Sequence, residues 1–335
     1  MTGRPQYTGQ HRTDAQQRAQ RAEQARRVAA SVSEKSLRET VEKLARPGPR
    51  NSATAPAAHS AAADMIESQL RQPGCKTERQ VFQVPRQEPA REGVNVIGTL
   101  TPTADAAGAG PAVLIGAHFD TVPCSPGADD NASGVAAMLE CARVLSGVPR
   151  RRTVMFVAFD AEEKQPPEEG LHGSIAYVKS LKPDVAIGAA YILEMVGYSA
   201  PEGGQKIPRG FQLLFPRAFD SLRADGFGGT SLVAITNARS RRLGRDLEQA
   251  AASWSDGLRV LPVELPGWMP VPRNLRRSDH APFWQAGIPA VMIGDTANFR
   301  NPHYHLPTDI ADTLDYELLT MITRTLAGLV AWEAA

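Results

Sequence analysis

Short apolar runs at residues 113–115, 153–159, 185–193 and 288–293 carry few polar interruptions, the pattern of strands buried on both faces of a sheet. Alternating or β-branched runs at 79–84 and 93–100 predict two more strands. Helical periodicity fills much of the remainder. After Asn131, one face carries Val135, Met138, Leu139 and Ala142, and residues 57–71 place Ala61, Met65, Ile66 and Leu70 together. Residues 315–332 repeat Leu318, Leu319, Ile322, Leu326 and Val330, the signature of a closing core helix. Strands interleaved with helices put the chain in the α/β class, whose ligand sites lie at the carboxyl ends of the strands.

The first 50 residues read differently. Residues 1–13 are polar, and 14–45 are rich in Ala, Gln, Arg and Glu, good helix formers apart from an interruption at 31–33. Apolar positions there are mostly Ala until Val28, Val32, Leu37, Val41 and Leu44, which predicts a weakly amphipathic helix whose last turns dock on the body. Pro47-Gly48-Pro49 stops it, and 101–110 is an Ala- and Gly-rich turn. There is no internal repeat.

Charge changes this picture little. Lys and Arg number 37 against 36 Asp and Glu, so no global field points to nucleic acid or to a membrane surface. Residues 1–50 hold 11 basic and 5 acidic side chains, net +6, leaving net −5 elsewhere, but interspersed glutamates and few aromatics argue against a nucleic-acid arm. Cys75, Cys124 and Cys141 suggest no disulfide framework. No run approaches a membrane span, and 28–30 is too short for a signal-peptide core, so the expected location is cytoplasmic.

The chemistry sits where the apolar runs end. His118 closes the first run, Asp120 lies on the same side of an extended chain, and Asp130 follows a Pro- and Gly-marked turn. Imidazole with carboxylate suits zinc and its neighbours, and a carboxylate can give one oxygen to each of two ions. Asp120 is placed to fix a ligand histidine's tautomer. The same residues also suit a strand-end histidine and an Asp-Asp-Asn turn that caps the next helix. The second run ends in Asp160-Ala161-Glu162-Glu163, where one glutamate can ligate a metal while its neighbour deprotonates water. The third ends at Glu194, whose apolar setting demands a partner or a metal. After the fourth come His303 and His305, which alternate, so one of them faces a given site. Two histidines and three carboxylates suffice for two ions, with one glutamate left over as base.

HFD, GADDNASG, DAEE, LEM and a YH before Pro-Thr-Asp together resemble the co-catalytic dizinc aminopeptidases. That superfamily also includes glutamate carboxypeptidases, transferrin receptors and glutaminyl cyclases. The likeness runs from about residue 41 to the C-terminus and includes the spacing of 12 from His118 to Asp130. It implies a three-layer α/β/α sandwich around a central mixed, mostly parallel sheet of the zinc-exopeptidase type. It also implies an N-terminal extension over 1–36 and a catalytic domain over 37–335. By the family pattern, His118, Glu163, Glu194 and His305 are metal ligands, Asp130 is the bridging carboxylate, Glu162 is the general base and Asp120 orients His118. Tyr304 matches a tyrosine that stabilises the oxyanion in some members, and a cis peptide is expected at Asp130-Asn131.

Two features depart from the pattern. Glu194 is often Asp in relatives, and the loop at 164–169 is longer than usual. The implied function is a zinc metallopeptidase: an aminopeptidase removing N-terminal residues from peptides or aminoacyl amides by water activated between two divalent ions, expected to be Zn. The alternatives are a glutaminyl-cyclase-like acyltransferase acting through one zinc, or a non-catalytic binding protein on the same fold. Neither nucleic acid nor membrane is an expected partner, and nothing fixes the oligomeric state. Trp268 and Met269, in a Pro-rich loop, are candidates for a specificity pocket.

Overall fold

The computed structural model describes residues 7–85, 91–103, 110–164, 169–183, 185–200, 203–267 and 272–335. Residues 165–168 of the long loop, the turn residues 104–109, and Trp268 and Met269 lie outside the described residues. The chain opens with α1 (Tyr7–Ala30), α2 (Glu34–Ala45) and α3 (Pro56–Arg71), then β1 (Lys76–Val84), β2 (Arg91–Leu100) and β3 (Ala112–His118). It continues through α4 (Gly134–Ser146), β4 (Val154–Phe159), α5 (His172–Ser180), β5 (Ile187–Glu194), the single turn α6 (Phe211–Leu214) and α7 (Pro216–Ala224). The remainder is β6 (Leu232–Thr236), α8 (Arg241–Trp254), β7 (Val260–Glu264), α9 (His280–Gln285), β8 (Ala290–Gly294) and α10 (Tyr316–Ala334).

The strands form one sheet in the order β1-β2-β4-β3-β5-β8-β6-β7. Pairs β4/β3, β3/β5, β5/β8 and β6/β7 are parallel, whereas β1/β2, β2/β4 and β8/β6 are antiparallel. Strand periodicity sorts the apolar residues onto two faces. Val113, Ile115, Ala117, Phe156, Ala158, Tyr191 and Leu193 join one core with side chains of α2, α3, α4, α8 and α10. Leu114, Val157, Phe159, Ala190 and Ile192 join another with Tyr177 of α5 and Phe283 of α9. A third cluster seats α7 on β6 and β7 through Leu222, Val233, Leu261 and Val263. The three-layer α/β/α sandwich expected from the sequence is present, with a mixed sheet at its centre.

The N-terminal segment is integrated into this architecture. α1 packs along α10, and Ala25, Val28 and Val32 are buried in the same core as Leu37 and Val41 of α2. Residue 36, the expected boundary, falls inside α2, whose N-cap Ser33 accepts from Ser36 N. Ser33 N in turn donates to the buried Glu140 of α4 at 2.7 Å. Several elements, including α8, β6 and β7, lie between 198 and 277, where the sequence assigned no element. Among the described residues no helix is long and apolar enough to cross a membrane, and all three cysteines are unpaired.

One side chain holds the site's connecting loop in place. Arg50, in the Pro-rich link between α2 and α3, is only 1% exposed. Its guanidinium donates to the carbonyls of Phe119 (2.7 Å), Pro126 (2.6 Å), Gly127 (2.8 Å) and Leu44 (3.1 Å). Its backbone N–H bonds Thr121 Oγ1 at 2.8 Å, and Asn51 Nδ2 reaches the carbonyl of Thr121 at 2.8 Å. Burial lowers the Arg50 pKa to about 10, while the charges of Asp309, Asp120 and Asp130 oppose the drop, so it stays a cation at neutral pH. Gly127, at φ +62°, closes this loop. A Cβ there would collide with the carbonyl of Asp130 and with Thr121, so the loop requires glycine on both counts.

Arg50→Met keeps the stem but removes the partner of the Leu44, Phe119 and Pro126 carbonyls, each costing about 1–3 kcal/mol if left unpaired, while the Gly127 carbonyl keeps the N–H of Ala132. Urea denaturation should register a loss of at least about 3 kcal/mol with the m-value unchanged. A loss below about 1 kcal/mol would show that the loop is held by other means.

Candidate metal centre and active site

Parallel pairing brings three strand ends to one edge. His118 at the end of β3 sits in register with Phe159 of β4, and Ala117 with Leu193 of β5. The residues that follow therefore rise from the sheet side by side: Asp120 after β3, Glu162 and Glu163 after β4, and Glu194 closing β5.

Asp130 enters from the turn Ala128–Ser133, where Asp130 (φ −105°, ψ 83°) and Asn131 (φ −137°, ψ 42°) leave helical geometry and share the expected cis peptide. The turn is stitched to the exit of β5. Asn131 Nδ2 donates to the carbonyl of Leu193 at 2.9 Å, and Asn131 Oδ1 accepts from Met195 N at 3.1 Å. Ser133 Oγ accepts from Val196 N at 3.1 Å, and Asp129 Oδ1 accepts from Gly197 N at 2.9 Å. From the far end of the chain, Asp309 accepts the N–H groups of Asp129 (2.9 Å) and Asp130 (3.1 Å). GADDNASG is thus mostly scaffold, with Asp130 as the residue it presents.

Three non-glycine residues next to or within the ligand set have positive φ: Ala161 (54°), Met195 (53°) and His305 (59°). Left-handed backbone costs such residues about 1–2 kcal/mol each and clusters at functional sites. Each one redirects a side chain. Asp160 turns down to His59 Nε2 (2.8 Å) and Val94 N (2.8 Å), away from the pocket, while Glu162 and Glu163 turn into it.

Two triads result. Nε2 of His118 lies 3.3 Å from Asp130 Oδ1 and 3.5 Å from Glu194 Oε2. Nε2 of His305 lies 3.2 Å from Asp130 Oδ2 and 3.1 Å from Glu163 Oε1. In each triad one ligand-type atom per residue lies within 4.8 Å of the others, and Asp130 belongs to both. His118 Nε2, Asp130 Oδ1 and His305 Nε2 are buried without a hydrogen-bond partner, although buried polar atoms are nearly always satisfied. Those are the atoms a metal ion would take, so the donor set fits a pair of cations.

The charges agree with that fit. Burial raises Glu163 to about 8, helped by Asp130 and opposed by His305. Glu162 is pushed well above the usual carboxylate range by burial, with the His118 charge opposing and Glu194, Glu163 and Asp279 adding to the rise. For His305 burial disfavours the cation, but Asp130 and Glu163 overcome it and lift the pKa to about 10. The carboxyls of this pocket resist ionising beside one another, a cost that a divalent cation among them would relieve.

His305 is the histidine that faces inward. His303 Nδ1 is engaged by Thr308 Oγ1 at 2.9 Å instead. Glu163 points to the triad, while the carboxylate of Glu162 accepts no hydrogen bond among the described residues. Glu194 meets Ser278 Oγ at 2.7 Å, and among the described residues it meets no arginine. Tyr304 stacks on His305 with centroids 3.8 Å apart and takes a 2.8 Å hydrogen bond from Arg277 Nη2 on its hydroxyl. Asp120 does more than face His118, whose Nδ1 lies 3.2 Å from its backbone carbonyl and 3.5 Å from Oδ1. Its two carboxylate oxygens accept the N–H groups of Glu162 (3.0 Å) and Glu163 (3.2 Å) and so hold the turn that carries both.

Comparison with known proteins points to one family. Residues 95–330 match the model of peptidase family M28. An uncharacterized protein, YfbL, of Escherichia coli is 37% identical over 223 residues, 64% of this chain and 64% of that protein. Aminopeptidase YwaD of Bacillus subtilis is 32% identical over 218 residues, 62% of this chain and 38% of that protein. The chain thus spans less than two thirds of the length of either relative. An aminopeptidase structure from Aneurinibacillus superposes with a TM-score of 0.69 at 20% identity, covering 92% of this chain and 96% of that one.

Asp120→Asn leaves a single acceptor oxygen for two N–H groups. Zinc affinity, measured by competition with a chromophoric chelator, should fall about 10–100-fold. Unchanged affinity would mean that the turn after β4 stands without Asp120.

Proposed function

The chain belongs to peptidase family M28, and from that premise we propose that it is a zinc-dependent aminopeptidase removing N-terminal residues from peptides. The observation that carries this reading is the pair of triads sharing Asp130, with Glu162 beside them and not engaged in either. His118 and Glu194 would hold one zinc ion and Glu163 and His305 the other, with one oxygen of Asp130 for each. When bound, such ions polarise a scissile carbonyl and acidify a water molecule.

The remaining chemistry belongs to the protein's own groups. Glu162, held over the pocket by the grip of Asp120 on its backbone N–H, takes a proton from the attacking water. It returns that proton to the departing amine, so one carboxyl serves both transfers and ends as it began. The Tyr304 hydroxyl, which receives Arg277's N–H on its oxygen, keeps its own proton for the developing oxyanion.

Glu162→Gln preserves shape and removes the base. Turnover of aminoacyl anilides should fall by about 10²–10⁴-fold while bound zinc stays at the wild-type level. Glu163→Gln should lose zinc together with activity, because a neutral amide is a poor ligand. Full activity in Glu162→Gln with its zinc bound would overturn the mechanism.

A further inference from the structure

Arg277 stands at the mouth of the site in a role that the hydrolytic chemistry does not use up. The residue after it, Ser278, donates to Glu194 at 2.7 Å, so the backbone here is anchored to the ligand set. The Arg277 side chain is exposed, yet its Nη2 sits 2.8 Å from the Tyr304 hydroxyl. The ring of Tyr304 lies against His305, with centroids 3.8 Å apart. One of five guanidinium donors is thereby engaged. Among the described residues this guanidinium meets no carboxylate, which leaves a fixed cation with spare donors beside the oxyanion position.

A cation there sorts substrates by orientation. The protonated amine of a peptide is repelled by Arg277, so the leaving side of the substrate extends toward the arginine. In a dipeptide the terminal carboxylate follows the scissile carbonyl by about one Cα–Cα step, ~3.8 Å. Arg277 Nη2 lies 2.8 Å from the Tyr304 hydroxyl, within one such step. Planar guanidinium groups pair with carboxylates in a bidentate fork.

We propose that Arg277 recognises a carboxylate on the leaving side of the substrate, making the site selective for short or acidic peptides. The carboxylate is either the C-terminus of a dipeptide or the side chain of an acidic second residue. The proposal rests on the aminopeptidase reading above, which gives the pocket a leaving side.

The test uses the full zinc-loaded chain and three substrates: Leu-Ala, Leu-Ala amide and Leu-Asp amide. The first should exceed the second in kcat/KM by about tenfold, through KM, for a charge-assisted hydrogen bond. Leu-Asp amide matching Leu-Ala would assign the acidic side chain as an equally good source, and Leu-Asp amide matching Leu-Ala amide would assign the C-terminus. In Arg277→Gln the advantage of the carboxylate substrates over Leu-Ala amide should collapse toward one, and Arg277→Lys should restore part of it. Wild-type protein that hydrolyses all three without preference overturns the inference alone, with no variant needed. An equal fall in kcat on every substrate in Arg277→Gln also overturns it, because Arg277 would then act through Tyr304. Failure to hydrolyse any of the three would instead strike at the aminopeptidase reading itself.

Discussion

Carboxylates crowded into a water-poor pocket repel one another, and the architecture around β3, β4 and β5 holds them together against that repulsion. Asp130, Glu163 and Glu194 are at most 9% exposed and, among the described residues, gather around two imidazoles. Fixed backbone dipoles do part of the work: Asp120 clamps the N–H groups of Glu162 and Glu163, and Asp309 those of Asp129 and Asp130. Arg50 does another part from below, fastening the loop between His118 and Asp130 while contributing a buried positive charge. On the proposed reading, a bound cation relieves that repulsion. On that reading, removing one support weakens metal binding without touching a proposed ligand.

Most of the proposed site residues were legible in the sequence because they sit at or just past the end of a buried strand, and a strand that stops in a charged residue is a local, readable event. His118, Glu162, Glu163 and Glu194 all obey that rule, and β8 leads into the loop of His305. The choice between His303 and His305 was not local. It depends on the left-handed turn at His305 and on Thr308 taking His303. Arg50 was not singled out in the sequence. Its partners are carbonyls at 119, 126 and 127, and carbonyls carry no residue-type signal. The same blindness hides the grip of Asp120 on the turn after β4, since N–H groups are anonymous in sequence. α8 was readable in principle, with Leu243, Leu247, Ala250 and Ala251 on one face. β6 and β7 have five residues each, and Pro262 within β7 obscures it.

The second triad is what turns a metal-binding fold into a hydrolytic site in this account. One ion can polarise a carbonyl, whereas two bracketed by a shared carboxylate can also position the water that attacks it. Asp130 is the hinge of that claim, because its two oxygens face two different histidines, 3.3 Å and 3.2 Å away.

Native mass spectrometry of zinc-reconstituted protein tests this most directly. The wild type should retain two zinc ions per chain, and Asp130→Asn, which keeps the side chain's size, should not retain both. One ion per chain in the wild type, or two in Asp130→Asn, would contradict the bridged pair on which the account depends.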